Sequence, residues 1–375
     1  MRIAINALGM KDKLHGVGNY IKNLVSALSK IDSENEYLIF GSPENVRHLE
    51  GLSNKFQIEL GPNNPMLRVP WEQTVLPLKL KRIDVYHGPA FVAPLVKTCR
   101  QVITIHDMSS HLVPERHSLH RRLYLRAIVP ATIRNSDRII ADSESTKRDI
   151  LGFGWTDEEK ICVVHLGVEG RFKPVTDRER LAKVREKYGL HHEFILFVGA
   201  IEPRKNLGTL VDAYLADSLS DRFDLVLAGG LGWDYSGLLQ KIAASGRRER
   251  IRMPGYVDDT DLPALYSAAE AFVYPSLYEG FGLPVLEAMA CGTPVITSSV
   301  SSLPEVAGEA GILVDPSDTG ALASELRRVL MDAGLREELS RRGRERAKLF
   351  TWEQTAEKTL EAFGCAAGVH GRSKR

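Results

Sequence analysis

The stretch from Tyr274 to Ala290 holds the residues whose types and spacing are most suited to chemistry. It reads YPSLYEGFGLPVLEAMA, with Glu279 and Glu287 eight positions apart on either side of a glycine-rich turn. Pro284 suits a first helical turn, where backbone N–H groups attract anions. The amides of residues 281–283 are therefore predicted to cradle a phosphate, and the two carboxylates to accept hydrogen bonds from sugar hydroxyls. The structural alternative is that Glu287 complements the helix dipole and Glu279 caps the turn.

Two adjacent cations precede another predicted helix. Arg204 and Lys205 follow a strand and a short turn, and they stand directly before Asn206, a typical N-cap residue. Because cations oppose the dipole at a helix N-terminus, they indicate an anionic partner. The alternative is that both side chains extend into water. Since Lys205 and Glu279 lie in loops, replacing either is expected to remove activity with little loss of folding stability.

Two further loops are candidates for a site. Gly16 and Gly18 follow the first predicted strand and open a helix, and phosphate binding or steric need explains this glycine pair equally well. The third glycine of a dinucleotide-binding loop is absent, because Ile21 stands there. His106 follows another strand at the edge where open α/β sheets bind ligands, while the structural alternative is a core histidine.

No metal or redox motif accompanies these loops. The four cysteines form no C-x-x-C pair, which suits a reduced chain. Asp259-Thr260-Asp261 has a D-x-D spacing, but a helical segment follows it, so Thr260 or Asp261 is better explained as an N-cap. We predict no resident cofactor and no metal.

Composition excludes several classes of function. Of the 375 residues, 43% are hydrophobic and 26% charged, as in a soluble protein of two domains. A formal net charge of +1 gives no overall field for nucleic acid. No stretch is apolar enough to span a membrane, which predicts a cytoplasmic protein. Residues 115–138 are rich in arginine and leucine, so contact with anionic lipid at the inner membrane face competes with a solvated helix face.

Strand-like and helix-like segments alternate from end to end, which predicts an α/β fold with parallel sheets. We expect two doubly wound, Rossmann-like domains that face each other across a cleft, with ligands at the carboxyl ends of the strands. The predicted parts are a first domain over 1–167, a linker over 168–189, a second domain over 190–349, and a C-terminal helix with a basic tail over 350–375.

The predicted strands are Arg2–Asn6, Tyr37–Phe40, Ile83–His87, Val102–Ile105, Arg138–Ala141, Phe194–Val198, Asp224–Ala228, Ala271–Tyr274, Val295–Thr297 and Gly311–Val314. Helices are predicted between them, with the first over Val17–Lys30 and the last over Thr351–Phe363. Thr351 and Gln354 form a capping box at the start of that last helix.

Taken together, these motifs resemble the retaining glycosyltransferases of family four, and most of all their mannosyltransferase and lipopolysaccharide-type members. The resemblance runs from the first strand to the last helix. It implies a GT-B architecture, with a nucleotide-sugar held mainly by the second domain and the last helix returning to the first. It rests on Gly16-Val17-Gly18, His106-Asp107, Glu202-Pro203-Arg204-Lys205-Asn206, Gly255-Tyr256-Val257 and the stretch from Glu279 to Glu287.

The resemblance also implies a role for each motif. Arg204 and Lys205 would neutralise the diphosphate, and Glu287 would bind the ribose. Glu279 and the amides of the glycine-rich turn would hold the sugar and phosphate, and His106 would contact the sugar near its reacting carbon. The donor-binding candidates are Gly16, Gly18, Arg204, Lys205, Gly255, Tyr256, Val257, Glu279, Gly280, Phe281, Gly282, Leu283 and Glu287. The catalytic candidates are His106, Glu279, Lys205 and Arg204.

The expected activity is transfer of a hexose, mannose or glucose, from GDP-mannose or a UDP-sugar to a glycan or lipid-linked acceptor in cell-surface polysaccharide synthesis. Arg204, Lys205 and the helix start at Leu283 would stabilise the departing diphosphate without a metal. The resemblance implies retention by front-face attack, in which a phosphate oxygen accepts the acceptor's proton. The alternatives are a nucleotide-sugar epimerase of the same architecture and a non-catalytic nucleotide-sugar-binding subunit.

Overall fold

The structure is a computed structural model that describes residues 1–10, 16–62, 64–112, 119–216 and 219–369. The chain divides into two compact units, one of Met1–Gly167 with Thr351–Arg375 and the other of Val168–Phe350. Each unit contains a parallel β-sheet and the helices that connect its strands. The predicted α/β class with two Rossmann-like domains is confirmed.

The first unit is built on a sheet with the strand order β3-β2-β1-β4-β5-β6-β7. In the first strand of the chain, which is an interior strand of this sheet, Ile3 lies opposite Tyr37 on one side and Val85 on the other. Such strands are covered on both faces, which explains their continuous apolar runs. The strands are β1 (Arg2–Asn6), β2 (Glu36–Gly41), β3 (Phe56–Leu60), β4 (Val85–Gly88), β5 (Arg100–Ile105), β6 (Arg138–Ala141) and β7 (Ile161–Val163).

The helices of the first unit include the chain's last helix, which packs against the first. The apolar stripe of the first helix buries Tyr20, Leu24 and Leu28. Thr351 accepts a hydrogen bond from the Gln354 amide, so the predicted cap of the last helix is confirmed. The helices are α1 (Val17–Ile31), α2 (Pro65–Thr74), α3 (Leu76–Lys79), α4 (Ser109–Leu112), α5 (Leu119–Asn135), α6 (Glu144–Gly152) and α16 (Trp352–Ala367).

The arginine-rich segment over 115–138 is only partly described, and residues 115–118 lie outside the described ranges. Helix α5 buries Ile128, Val129 and Ile133 in the core, while Leu123 and Arg126 are exposed. No helix in the described ranges is long and apolar enough to cross a membrane.

The second unit repeats the same plan with the strand order β10-β9-β8-β11-β12-β13. Its order reverses at β8, whose neighbours are β9 and β11. In open α/β sheets, such a switch point is where ligands bind. The strands are β8 (Phe194–Val198), β9 (Asp224–Ala228), β10 (Ile251–Gly255), β11 (Ala271–Tyr274), β12 (Val295–Ser298) and β13 (Ile312–Val314).

Residues 168–189, assigned to a linker from the sequence, lie within the second unit, where the helix over 178–187 packs against the one that follows β10. Asp261 precedes that second helix as predicted, but its carboxylate accepts hydrogen bonds from Lys187 and Tyr188 and caps nothing. The helices are α7 (Arg178–Lys187), α8 (Leu207–Leu215), α9 (Leu219–Arg222), α10 (Ser236–Ala244), α11 (Leu262–Ser267), α12 (Leu283–Ala290), α13 (Leu303–Ala307), α14 (Thr319–Met331) and α15 (Ala333–Ala347).

Sequence patterning misses β3, β7 and β10, and all three lie at a sheet edge. An edge strand is half exposed, so it needs no continuous apolar run. β10 reads IRMPG, in which Pro254 is tolerated because an edge strand leaves some N–H groups unpaired.

Candidate functional site

Glycines at the carboxyl ends of β8, β9 and β10 allow these neighbouring segments to approach closely and to form backbone hydrogen bonds. The Gly199 amide donates to the Ala228 carbonyl, and the Gly229 amide donates to the Gly255 carbonyl. A Cβ on Gly229 would lie 1.9 Å from the Gly199 carbonyl oxygen, and its φ of 146° also favours glycine. This close approach joins the loop that leads to Arg204 with the predicted base-binding segment.

Arg204 lies in the loop after β8 and is buried, with 8% of its surface exposed. Its Nη1 lies 2.9 Å from Glu279 Oε2 and donates to the Tyr278 carbonyl at 2.6 Å. On the other side, its Nε donates to Glu202 Oε1 at 3.1 Å. Two carboxylates therefore hold the guanidinium plane in one orientation.

Lys205 is buried beside it, with 6% of its surface exposed. Its Nζ donates to Glu279 Oε1 at 2.6 Å and to the Tyr274 hydroxyl, and it lies 4.8 Å from the centroid of that ring. The alternative in which both cations extend into water is therefore wrong. The expectation that Lys205 or Glu279 can be replaced at little cost in stability loses its basis, because each side chain is part of a buried ion pair.

The charges of this cluster depend on each other. Burial alone would raise the pKa of Glu279, but Lys205 and Arg204 outweigh it and lower that pKa to about 2. Burial, with Arg204 as a neighbouring cation, lowers the pKa of Lys205, and Glu279 opposes this. Glu279 is thus the resident counter-ion of two buried cations at the switch point of the sheet.

The glycine-rich turn leads from Glu279 into α12. Gly282 occupies the N-cap position with a φ of 121°, and a Cβ there would lie 2.8 Å from Leu303 Cδ2. Phe281 is buried and packs edge-on against Phe350, with ring centroids 5.9 Å apart. Leu283 begins the helix, and Gly280 is buried. The turn therefore has a defined shape at the positive end of the helix dipole.

Glu287 lies one turn inside α12, apart from the ion-pair cluster. Its Oε2 accepts a hydrogen bond from the Tyr266 hydroxyl at 2.9 Å. Burial raises its pKa to about 8, although Tyr266 and Arg171 oppose the shift. Near neutral pH this carboxyl therefore carries a proton and can both donate and accept hydrogen bonds.

The predicted base-binding segment ends β10. Gly255 is the last residue of that strand, Val257 is buried, and Tyr256 is 45% exposed. The Tyr256 hydroxyl donates to Asp259 Oδ1 at 3.1 Å. An exposed aromatic ring and backbone groups are thus offered beside the Gly229 loop.

His106 belongs to the first unit and follows β5, as predicted. Its Nδ1 lies 2.7 Å from Asp142 Oδ2, and its Nε2 lies 2.8 Å from the Pro89 carbonyl oxygen. Because a carbonyl only accepts, Nε2 carries a proton. Burial opposes the charged ring, yet Asp142 and the Pro89 carbonyl raise the pKa of His106 above its usual value. Contact with a sugar would require His106 to give up one of these bonds.

Gly16 and Gly18 also belong to the first unit. Gly16 is the N-cap of α1 with a φ of 45°, and Gly18 is buried inside the first turn. The structure thus brings Arg204, Lys205 and Glu279 together, with the turn at 280–283 continuing from Glu279. The remaining candidates occupy other places in their own units.

Sequence reasoning misses Glu202 and Asp142 as functional residues. Glu202 belongs to the quoted EPRKN motif, and its position two residues before Arg204 was the available signal. Asp142 gave none, since its contact with His106 joins residues 36 positions apart. Among the described residues, no three His, Cys, Asp or Glu side chains group where they could share a metal ion.

Comparison with known families and proteins finds matches over most of the chain. Residues 14–170 match the model of Glycosyltransferase Family 4, and residues 181–346 match that of Glycosyl transferases group 1. The chain is 33% identical over 380 residues to the O-antigen chain mannosyltransferase B of Escherichia coli, covering 97% of this chain and 99% of that protein. It is 32% identical over 272 residues to the serotype-specific mannosyltransferase WbdA of Escherichia coli, covering 70% of this chain and 33% of that one.

Solved structures share the fold at lower identity. Sucrose-phosphate synthase from Thermosynechococcus elongatus has a TM-score of 0.74 at 24% identity, covering 96% of this chain and 98% of its own. Anabaena HepE, solved in complex with UDP and glucose, has a TM-score of 0.77 at 19% identity, covering 97% and 99%. The chain belongs to the family-four glycosyltransferases and has the two Rossmann-like domains of the GT-B fold.

Proposed function

We propose that this glycosyltransferase transfers mannose from GDP-mannose to a glycan or lipid-linked acceptor in the synthesis of a cell-surface polysaccharide. The observation that carries the proposal is the buried pair of cations, Arg204 and Lys205, at the switch point of the second sheet. Two buried cations suit a diphosphate leaving group. The full-length match to an O-antigen mannosyltransferase favours mannose as the sugar.

In this proposal, the second unit binds the donor. Arg204 and Lys205 take the diphosphate oxygens, and the positive end of α12 adds to their potential. Glu287, carrying a proton, meets the ribose hydroxyls, and the base lies along residues 255–257. Glu279 moves from counter-ion to partner of the sugar hydroxyls when the diphosphate arrives.

Negative charge develops on the diphosphate as the sugar–phosphate bond breaks, and the two cations stabilise it without a metal. A diphosphate oxygen then accepts the proton of the acceptor hydroxyl that attacks from the same face, so the anomeric configuration is retained. No carboxylate nucleophile is needed. His106 orients the sugar after exchanging its bond to the Pro89 carbonyl for one to a sugar hydroxyl.

The first experiment is a thermal-shift panel of GDP, UDP, ADP and TDP with their mannose and glucose conjugates, because a ligand of the folded state raises Tm. We expect GDP and GDP-mannose to raise Tm in the wild type and not in Lys205→Ala. The matched control is Lys241→Ala, since Lys241 pairs with Asp212 on the surface. The assigned donor site would be contradicted if no nucleotide raised the Tm of the wild type. It would also be contradicted if GDP raised the Tm of Lys205→Ala as much as that of the wild type.

Turnover then separates the proposed activity from the alternatives. Radiolabelled mannose should pass from GDP-mannose to an oligomannose or lipid-linked acceptor in excess EDTA, and NMR should show an α-linked product. Isomerised free nucleotide-sugar would instead indicate the epimerase, and binding without turnover on any acceptor would indicate the binding subunit.

Sedimentation with anionic vesicles tests membrane contact through residues 115–138, where Leu123 and Arg126 are exposed.

A further inference from the structure

The loop after β12 forms hydrogen bonds to the backbone amide and the backbone carbonyl of Glu279. The Glu279 amide donates to Ser301 Oγ at 3.0 Å. The Ser302 hydroxyl shares its one proton between two acceptors, the Glu279 carbonyl oxygen at 3.0 Å and the Phe281 carbonyl oxygen at 2.6 Å. Neighbouring parallel strands explain this meeting, because β11 and β12 pair and their carboxyl-end loops lie side by side.

The backbone conformation of Ser301 indicates that its hydrogen bond to Glu279 has a function. Its φ is 54°, in the left-handed region that favours glycine and costs other residues free energy. A glycine there would relieve the strain, but it would remove the hydroxyl that accepts from Glu279. Ser302 is fully buried, so its hydroxyl serves only partners inside the protein.

These backbone hydrogen bonds affect the position of the Glu279 carboxylate. Its backbone is held by the two serines, while its carboxylate reaches Lys205 at 2.6 Å and Arg204 at 2.9 Å. A carboxylate that must leave these cations when a diphosphate arrives needs a fixed backbone from which to move. We propose that Ser301 and Ser302 are positioning residues of the donor site, which fix the Glu279 backbone so that its carboxylate meets first the two cations and then the donor sugar. This inference rests on the proposed transfer from a nucleoside-diphosphate sugar.

Two substitutions of Ser301 separate positioning from stability. Ser301→Gly relieves the strain but removes the hydroxyl that accepts from the Glu279 amide, so the two effects on stability oppose each other and its Tm should stay close to that of the wild type. Ser301→Thr keeps the hydroxyl but places a β-branched residue at positive φ, so its Tm should fall. If the hydroxyl positions Glu279, activity follows the opposite order. We expect Ser301→Gly to raise the KM for GDP-mannose by about five- to tenfold, as for one lost hydrogen bond, and Ser301→Thr to keep it near the wild-type value.

A ligand-free measurement makes the result independent of the proposed function. Carboxyl-carbon NMR follows the titration of Glu279, which Arg204, Lys205 and the Tyr274 hydroxyl face. In Ser301→Gly and Ser302→Ala the midpoint should move up toward the ordinary range of a glutamate, because the carboxylate is no longer fixed between the cations. Ser317→Ala, which removes a hydroxyl bonded to Asp315 on the surface, should leave both the midpoint and KM unchanged.

The outcomes decide between the two ideas. An unchanged Glu279 midpoint in both Ser301→Gly and Ser302→Ala overturns the positioning role, as does a wild-type KM in Ser301→Gly. If the Glu279 titration midpoint shifts but the protein binds no nucleotide-sugar, the result supports the positioning of Glu279 by the two serines and overturns the proposed donor instead. An activity that follows Tm across the Ser301 variants would mean that the serine acts on stability alone.

Discussion

Replacement of Glu279 by glutamine tests the central electrostatic argument. Glu279→Gln keeps the shape of the side chain and removes its charge, so Arg204 and Lys205 stay buried without their shared counter-ion. Glu202 and the Tyr278 carbonyl still bind Arg204. Lys205 keeps the Tyr274 hydroxyl as a partner. We expect a folded protein of reduced stability.

The size of the loss follows from the pKa. The pKa of Glu279 falls from an ordinary 4.5 to about 2, a difference of about 2.5 units. At 1.36 kcal/mol per unit, the charged form is favoured over the neutral form by about 3 kcal/mol. Only 10% of the side chain is exposed, so solvent screening takes little from this value. For a domain of this size, that corresponds to a fall in Tm of about 6–12 °C.

The loss also has a pH dependence with a fixed sign. A carboxyl whose folded pKa is depressed contributes stability above its unfolded value, and this contribution disappears as pH falls through the folded value. The gap between wild type and Glu279→Gln should therefore be full above pH about 4.5 and close as pH falls toward about 2. Denaturant unfolding at a series of pH values measures it.

Two results would refute this reasoning. A gap below about 1 kcal/mol at pH 7 would be that of an exposed pair and not of a buried one. A gap that stays constant from pH 7 to pH 3 would mean that Glu279 does not titrate against the cations. Asp212→Asn, which removes a surface partner of Lys241, is the matched control and should cost little at any pH.

Three further substitutions follow from the same contacts. Glu287→Gln should gain stability relative to the wild type between pH 4.5 and pH 8, because a carboxyl with its pKa raised to about 8 loses its contribution as pH rises through that range; unfolding at pH 5 and pH 8.5 checks this. Asp142→Asn should lower stability by about 1–3 kcal/mol and reduce turnover while leaving the GDP-induced Tm shift intact, since it disturbs His106 in the other unit; loss of the shift would contradict separate roles. Gly282→Ala should weaken GDP binding at least tenfold, because its Cβ would meet Leu303 at 2.8 Å; an unchanged isotherm would contradict the assigned turn.

The sequence alone predicts the local structure well. Central strands such as Phe194–Val198 are buried on both faces, so their apolar runs and the glycines after them are visible without any contact map. Caps are equally local, since Thr351 reaches an amide three residues on. Motif spacing leads to the family, because each motif combines a strand end, a turn and a helix start.

Only the tertiary structure decides which motif meets which. Lys205 and Glu279 are 74 positions apart and touch because β8 and β11 are neighbours, a pairing that no local pattern specifies. The same strand order buries these loop residues as an ion-pair cluster. It also places Ser301 and Ser302 where they form hydrogen bonds to the Glu279 backbone. The edge strands β3, β7 and β10 escape prediction for the converse reason: with one side exposed, their place in the sheet is set by their neighbours and not by their own apolar content.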